Sequence, residues 1–206
     1  MNVLLINGSP HEKGCTYTAL SLIAGELNKA GIDTEILHVG DKPVGGCIGC
    51  GGCRSGNGCV FGGVVNEAIE KAKTADGFVF GSPVHYASAS GNMTSFMDRL
   101  SYAGGKYLAY KPAAICCSAR RAGTTTTLDQ LVKYPQFFHM PLVNGSYWAM
   151  VHGSNPEQVL QDAEGCAVMQ ELGRNMAWLL RCIEAGKAAG IDHPQNPPRP
   201  MTNFIR

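Results

Sequence analysis

The sequence has no excess of charge of either sign and no long hydrophobic run. Its 206 residues include 17 lysines and arginines against 16 aspartates and glutamates, a formal net charge of +1. Without a basic stripe, we expect no nucleic-acid partner. No apolar run approaches the ~18 residues of a membrane span, and no charged leader follows the starting methionine, so we expect neither a membrane partner nor a secretory signal. These features favour a cytoplasmic location, where thiols stay reduced.

Two common phosphate-binding motifs are missing from the first loop of the chain. The stretch from Gly8 to Gly14 is one residue too long for a Walker A loop, and Cys15 stands where that loop needs a lysine. The same stretch lacks the Gly-x-Gly-x-x-Gly of a dinucleotide site. These absences disfavour a nucleoside triphosphate and a dinucleotide bound in the usual Rossmann manner.

The stretch Val3–Thr18 has the pattern of a buried strand, a turn and the start of a helix. The free N–H groups and the positive dipole end of such a helix suit a phosphate, and the Ser and Thr hydroxyls of the stretch add further donors. A flavin mononucleotide (FMN) phosphate fits this set of neutral donors. An ordinary strand–helix turn capped by Ser and Thr is the alternative.

Apolar segments alternate with amphipathic helical segments along the chain. The predicted strands are Val3–Ile6, Asp33–Val39, Gly77–Phe80, Ala113–Cys117 and an interrupted fifth strand formed by 142–143 and 147–151. This alternation predicts an α/β fold: a flavodoxin-like, doubly wound, five-stranded parallel sheet of order 2-1-3-4-5 with helices on both faces. Apolar positions between Pro156 and Ala185 predict one long helix or two shorter ones.

We expect a single domain over residues 1–190. Residues 40–63 are rich in Cys and Gly and show no periodicity, so we interpret them as an insertion loop with a function of its own. Residues 191–206 contain four prolines, which predicts an extended C-terminal arm.

The break after the first strand is repeated after the third strand. Gly8-Ser9-Pro10 ends the first, and Gly81-Ser82-Pro83 ends the third. A third polar loop, 118–124, follows the fourth strand. Because the carboxyl ends of parallel strands lie at one edge of a sheet, we expect these loops to surround one ligand in one crevice.

Four of the nine cysteines lie within thirteen residues. Cys47, Cys50, Cys53 and Cys59 have the spacing C-x2-C-x2-C-x5-C, with glycines between them. Four thiolates in a compact loop are what a [4Fe–4S] cluster requires. A zinc site, a redox disulfide formed by two of the four, and a Gly-rich loop without metal are the alternatives.

Together the loops Ser9–Thr18, Pro83–Gly91 and Ser118–Thr124 and the cysteine run resemble those of the iron–sulfur flavoproteins, which belong to the NADPH-dependent FMN reductase group of the flavodoxin-like superfamily. The resemblance implies bound FMN, a [4Fe–4S] cluster on the loop after the second strand, and a homodimer or homotetramer.

The resemblance also assigns the residues around the flavin. The phosphate would be held by Ser9, His11, Cys15, Thr16, Tyr17 and Thr18. The isoalloxazine ring and ribityl chain would be lined by Pro83, Val84, His85 and Tyr86, and the other edge closed by Ser118, Arg120 and Gly123. The metal ligands would be the four cysteines of the run.

The function implied is that of an NAD(P)H-dependent FMN reductase. A nicotinamide would deliver hydride to FMN, and the electrons would pass to a quinone, azo, nitro or metal-centre acceptor, so that no protein acid or base is required. The partner would be a small-molecule acceptor or a redox protein. Two alternatives remain: a flavodoxin- or ferredoxin-like electron carrier that serves a protein partner, and a non-redox module that binds a regulatory nucleotide.

Overall fold

Six strands and six α-helices follow one another in the computed structural model, which describes residues 1–204. The strands are β1 Asn2–Asn7, β2 Asp33–His38, β3 Gly77–His85, β4 Ser88–Ala89, β5 Ala113–Ala119 and β6 Met150–His152. The helices are α1 Cys15–Lys29, α2 Val64–Thr74, α3 Gly91–Gly104, α4 Thr124–Phe137, α5 Pro156–Val159 and α6 Ala163–Ala188.

The long strands form one parallel sheet in the order β2-β1-β3-β5-β6. This order is the predicted 2-1-3-4-5, so the predicted fold class is confirmed. The additional strand β4 pairs antiparallel with the end of β3, Val84 opposite Ala89, and forms a short hairpin that the sequence did not predict.

Apolar side chains alternate between the two faces of the sheet, and each face packs against its own helices. Leu5 and Val79 belong to the cluster under α1 and α6, whereas Ile6, Phe78 and Phe80 belong to the cluster under α2, α3 and α4. All five are at most 1% exposed. Burial of each such side chain stabilises the fold by about 1.5–3 kcal/mol, which explains why the central strands have apolar residues at nearly every position.

The fifth parallel strand is shorter than predicted. Leu142 makes a single bridge with Ala113, and only Met150–His152 pairs regularly with β5. Between them, Ser146 donates from both its backbone N and its Oγ to Glu171 of α6, at 2.8 and 2.7 Å. Residues 144–148 therefore lie outside the sheet.

The C-terminal region forms two helices, the second of the two patterns predicted. The break lies at Asp162, whose Oδ1 accepts from the backbone N of Gly165 and whose Oδ2 accepts from that of His152. Beyond α6 the arm is extended, and His193 stacks on the Tyr110 ring with centroids 4.3 Å apart. The last two residues of the predicted arm, 205–206, lie outside the described residues. No helix within residues 1–204 has both the length and the apolarity to cross a membrane.

Candidate functional site: a flavin crevice and a cysteine loop

The first two strand-end loops are joined by hydrogen bonds at the carboxyl edge of the sheet. The backbone N of Gly8 donates to the carbonyl of Gly81 at 2.9 Å, and the Ser90 hydroxyl donates to the carbonyl of Gly8 at 2.8 Å. The backbone N of Ser90 in turn donates to Ser82 Oγ at 3.0 Å. These bonds hold the loop after β1 and the loop after β3 side by side at the place of the predicted crevice.

The start of α1 presents unpaired backbone donors to this crevice. Its N-cap residue, Gly14, makes no side-chain cap. Within the described part of the chain, the N–H groups of Cys15, Thr16 and Tyr17 donate to no other residue, whereas that of Thr18 donates to the carbonyl of Gly14 at 3.0 Å. Three converging N–H groups at the positive end of a fifteen-residue helix fit a phosphate group.

The hydroxyl groups near this helix have structural contacts as well. Ser9 Oγ accepts from the backbone N of His11 at 3.1 Å, and the Thr18 hydroxyl donates to the carbonyl of Gly14 at 3.1 Å. Thr16 is 1% exposed, and its hydroxyl lies 2.8 Å from that of Ser118 on β5. The hydroxyls of Thr16 and Thr18 thus each make one contact within the protein, and their predicted role at the phosphate stays a prediction.

The end of β2 supports the first loop from the other side. His38 Nε2 donates to the carbonyl oxygen of Ser9 at 2.7 Å. Gly40 lies so close to the first loop that a Cβ atom at this position would overlap the Ser9 carbonyl and lie 3.0 Å from the backbone N of Pro10. Only glycine allows this approach, so residue 40 defines where the loop lies.

Cys15 is at the start of α1, where helix N–H groups commonly activate a thiol. Here burial raises the pKa of Cys15 above its ordinary value, and the thiol donates to the carbonyl of Gly153 at 3.5 Å. Cys15 is therefore a neutral thiol at pH 7 and contributes to the crevice through its backbone N–H.

The hairpin of β3 and β4 lies at the same edge of the sheet as the predicted crevice. At its tip, Tyr86 and Ala87 have φ angles of 49° and 57°, and the Tyr86 side chain is fully exposed. Left-handed conformations cost non-glycine residues about 1–2 kcal/mol each, and such strain is concentrated at functional sites. Gln130 offsets this cost, because its Oε1 accepts from Ser88 Oγ at 2.6 Å and from the backbone N of Ala89 at 2.9 Å.

The loop after β5 lies against the tip of this hairpin. Gly123 has a φ of +93°, and a Cβ atom there would come within 2.6 Å of Ala87 Cα. The Thr126 hydroxyl donates to the carbonyl of Ala87 at 2.7 Å. Ser118 is buried, whereas Arg120 is exposed at the loop's outer side. The structure thus brings the predicted residues 83–86, 118, 120 and 123 to the same edge of the sheet.

The four clustered cysteines lie on the loop between β2 and α2. Cys47 and Cys50 are exposed, Cys53 and Cys59 are partly buried, and all four are free thiols. The chemistry of this donor set fits an iron–sulfur cluster. Within residues 1–204, no group of three or more His, Cys, Asp or Glu side chains is arranged so that it could hold a metal ion.

Residues 1–155 match the family model of the NADPH-dependent FMN reductases. The chain belongs to the NADPH-dependent FMN reductase family. This family assignment confirms the resemblance recognised in the strand-end loops.

Two curated relatives of this reductase-family chain are iron–sulfur flavoproteins. That of Methanocaldococcus jannaschii is 29% identical over 193 residues, 89% of this chain and all of the relative. That of Methanosarcina thermophila is 24% identical over 193 residues, 91% of this chain and 99% of the relative.

Solved structures show the fold of this FMN reductase family member. RosB with a bound 8-demethyl-8-formylriboflavin-5′-phosphate intermediate superposes with a TM-score of 0.72 at 14% identity, over 100% of this chain and 96% of RosB. An archaeal flavodoxin superposes with a TM-score of 0.60 at 14% identity, over 88% of this chain and 99% of the flavodoxin.

Three residues that matter to the site of this reductase-family chain were not singled out from the sequence. Ser90 and Gln130 tie the hairpin to neighbouring elements, and Arg99 contacts the cysteine loop. Two of them left a local signal: Arg99 is a charged residue beside the apolar Met97 and Leu100 of a predicted helix, and Ser90 is a serine N-cap at the start of that helix, accepting from the backbone N of Met93 at 3.3 Å. The contacts of Ser90 with Gly8 and of Gln130 with Ala89 join residues 82 and 41 apart in the sequence and leave no local pattern.

Proposed function

We propose that this chain is an FMN-dependent oxidoreductase that takes hydride from NAD(P)H and passes electrons to a quinone, azo, nitro or metal-centre acceptor. The observation that carries the proposal is the set of unpaired N–H groups of Cys15, Thr16 and Tyr17, which opens into a crevice bounded by two further strand-end loops. Membership of the FMN reductase family supports the same cofactor.

The protein's part in this reaction is to bind and orient. The α1 N–H groups hold the phosphate, with Ser9, His11 and Tyr17 around them. Pro83, Val84, His85 and Tyr86 line the ring, and Ser118, Arg120 and Gly123, on the neighbouring strand end and loop, close its edge. FMN, when bound, would accept the two electrons of a hydride and release them one at a time. No side chain is required to move a proton, and the strained hairpin tip keeps the Tyr86 ring available for stacking.

We further propose that Cys47, Cys50, Cys53 and Cys59 bind a [4Fe–4S] cluster, which would add one-electron exchange. The free state of all four thiols supports this. So do the curated relatives in two archaea, which are named iron–sulfur flavoproteins. Nine free cysteines also support a reducing compartment such as the cytoplasm.

We also propose that the chain forms a homodimer or homotetramer. Beside the outer strand β6 lies a cavity of about 430 Å³, lined by apolar residues that include Leu128 and Val132. Its rim carries Tyr147 and Trp148, which are 51% and 58% exposed. A large exposed aromatic patch is typical of an association surface. Light scattering coupled to gel filtration measures the mass, and a monomer at micromolar concentration would refute this proposal.

The function is tested by purification without oxygen, assays of FMN, iron and sulfide, and steady-state turnover with NADPH or NADH and a quinone. We expect about one FMN per chain and turnover without added protein. Turnover only in the presence of a redox protein would favour an electron carrier instead. A protein that binds no FMN would refute the proposal.

Tyr86 offers a matched pair of variants for this test. Tyr86→Ala should weaken FMN binding about 2- to 12-fold, because an aromatic stacking contact contributes about 0.5–1.5 kcal/mol beyond its area. Tyr102→Ala is the control, since Tyr102 is also exposed, at 74%, but lies on α3. Equal FMN dissociation constants for the two variants would contradict the assigned stacking role of Tyr86.

A further inference from the structure

Arg99 is a buried cation without an acidic partner. It lies on α3 and is 6% exposed. None of the ion pairs among residues 1–204 includes it. The neighbouring carboxylate, Asp98, instead accepts a hydrogen bond from the Tyr134 hydroxyl at 2.6 Å. A buried charge is costly unless it is paired, so the surroundings of Arg99 should contain an anion.

All three kinds of donor nitrogen in the Arg99 guanidinium reach the cysteine loop. Nε donates to Cys59 Sγ at 3.2 Å, Nη1 to the carbonyl of Gly45 at 3.3 Å, and Nη2 to the carbonyl of Gly62 at 2.9 Å. The guanidinium carbon also lies 5.5 Å from the centre of the Phe61 ring. Arg99 therefore joins both ends of the loop to the core. Among these partners, only the thiol of Cys59 can carry a negative charge.

The backbone of Cys59 is also fixed by hydrogen bonds, in addition to the contact of its sulfur with Arg99. The Asn66 side chain on α2 accepts from the backbone N of Cys59 at 2.8 Å and donates to its carbonyl at 3.0 Å. With Arg99, two helices thus fix both the backbone and the sulfur of this residue. Gly58, which precedes it, has a φ of +81°, and any Cβ there would lie 2.9 Å from Asn66 Oδ1.

We propose that Arg99 is the resident counter-charge of the cysteine loop and that it raises the reduction potential of the metal centre bound through Cys59. This inference rests on the cluster in the proposed function. Each thiolate brought to the loop is negative, and reduction by one electron adds one further negative charge, which a fixed cation nearby stabilises. Hydrogen bonds to ligand sulfur and local charge are among the factors that set such potentials.

The test compares Arg99→Gln, Arg99→Lys and the control Arg54→Gln after anaerobic reconstitution. Arg54 lies in the same loop but is exposed, so Arg54→Gln also removes one positive charge, but one that solvent screens. The midpoint potential is measured by a dithionite titration monitored by electron paramagnetic resonance, and iron, sulfide and FMN are assayed on the same samples. We expect Arg99→Gln to lower the potential, Arg99→Lys to lower it less because the charge remains, and Arg54→Gln to leave it unchanged.

The outcomes separate the two proposals. Wild-type protein that takes up no iron overturns the cluster and with it the role of Arg99, while FMN content still reports on the flavin site. Wild-type and Arg99→Gln proteins with equal iron content and equal potential overturn the role of Arg99 alone. A purely structural role for Arg99 would reduce iron content without shifting the potential of the centres that remain, and that result also refutes the proposal.

If the Arg99 variants do not fold, the inference can still be tested by a measurement that leaves Arg99 in place. Arg54→Gln protein labelled with ¹⁵N-arginine and reduced with dithionite is examined by pulsed electron paramagnetic resonance. We expect a ¹⁵N hyperfine coupling, because Nε lies 3.2 Å from Cys59 Sγ. Reduced, cluster-containing protein without an arginine ¹⁵N coupling would overturn the inference.

Discussion

Substitution of Gly40 tests where the phosphate loop lies. A Cβ atom at residue 40 would overlap the carbonyl carbon and oxygen of Ser9, which are backbone atoms and cannot rotate away. In Gly40→Ala the loop must therefore move by about 1 Å, and overpacking of this kind costs ~1–3 kcal/mol. The movement also breaks the 2.7 Å hydrogen bond from His38 to Ser9, which contributes a further ~0.5–1.5 kcal/mol.

The sum destabilises the FMN-bound protein by about 1.5–4.5 kcal/mol. This cost divides between the stability of the apoprotein and the affinity for FMN, because a displaced loop relieves the overlap but misplaces the N–H groups of α1. If all of it falls on binding, the FMN dissociation constant rises about 10- to 2000-fold. Urea unfolding of the apoprotein and quenching of FMN fluorescence measure the two parts, which should add to the predicted total.

Gly25→Ala is the matched control. A Cβ atom at Gly25 meets nothing within 4 Å, and the residue lies inside α1. Alanine there should stabilise the protein by about 0.5–1 kcal/mol and leave FMN affinity unchanged. If Gly40→Ala had both the unfolding midpoint and the FMN affinity of the wild type, the assigned position of the loop against β2 would be wrong.

Two further substitutions test other parts of the structure. Gln130→Met removes the acceptor shared by Ser88 and Ala89, and we expect urea unfolding to show a loss of about 1–3 kcal/mol in stability. Gln130→Glu keeps the acceptor and should restore the stability. A Gln130→Met protein as stable as the wild type would refute the assigned role of Gln130. Burial raises the pKa of Cys117 from 9.0 to about 12, so the unfolded chain loses this proton first and stability falls as pH rises from 9 towards 12. Cys117→Ser should lessen that fall by about 1.4 kcal/mol per pH unit, and equal slopes would contradict the buried, neutral thiol.

The parts of the fold that were predicted depend on local pattern. Val3–Ile6 and Gly77–Phe80 are apolar because both faces of the central strands are covered, and such runs can be read directly from a sequence. The fifth strand was predicted too long because Tyr147 and Trp148 are apolar enough for a strand. Their segment is instead held by Ser146 contacting Glu171, and a contact across 25 residues has no local signature.

In the candidate site, too, the local features were predicted and the long-range contacts were not. The open N–H groups at the start of α1 follow from the strand–turn–helix pattern, and that pattern was recognised. The pairing of Thr16 with Ser118 joins residues 102 apart and could not be seen. The hairpin tip was missed because Tyr86 and Ala87 adopt positive φ angles without the Asn or Gly that usually mark such a turn.

The helix α3 has a consequence for how the protein matures. Its Asn92 side chain bonds the carbonyls of Gly40 and Lys42 and the backbone N of Val44, and its Arg99 side chain bonds the far end of the cysteine loop. Cys47 to Cys59 precede these two anchors by 33 to 52 residues, so during synthesis the cysteines leave the ribosome first, and the anchors act only once α3 has packed on the sheet. The order of assembly is therefore folding of the core first and placement of the cysteine loop second, so we expect the proposed cluster to be loaded into the folded chain rather than the nascent one.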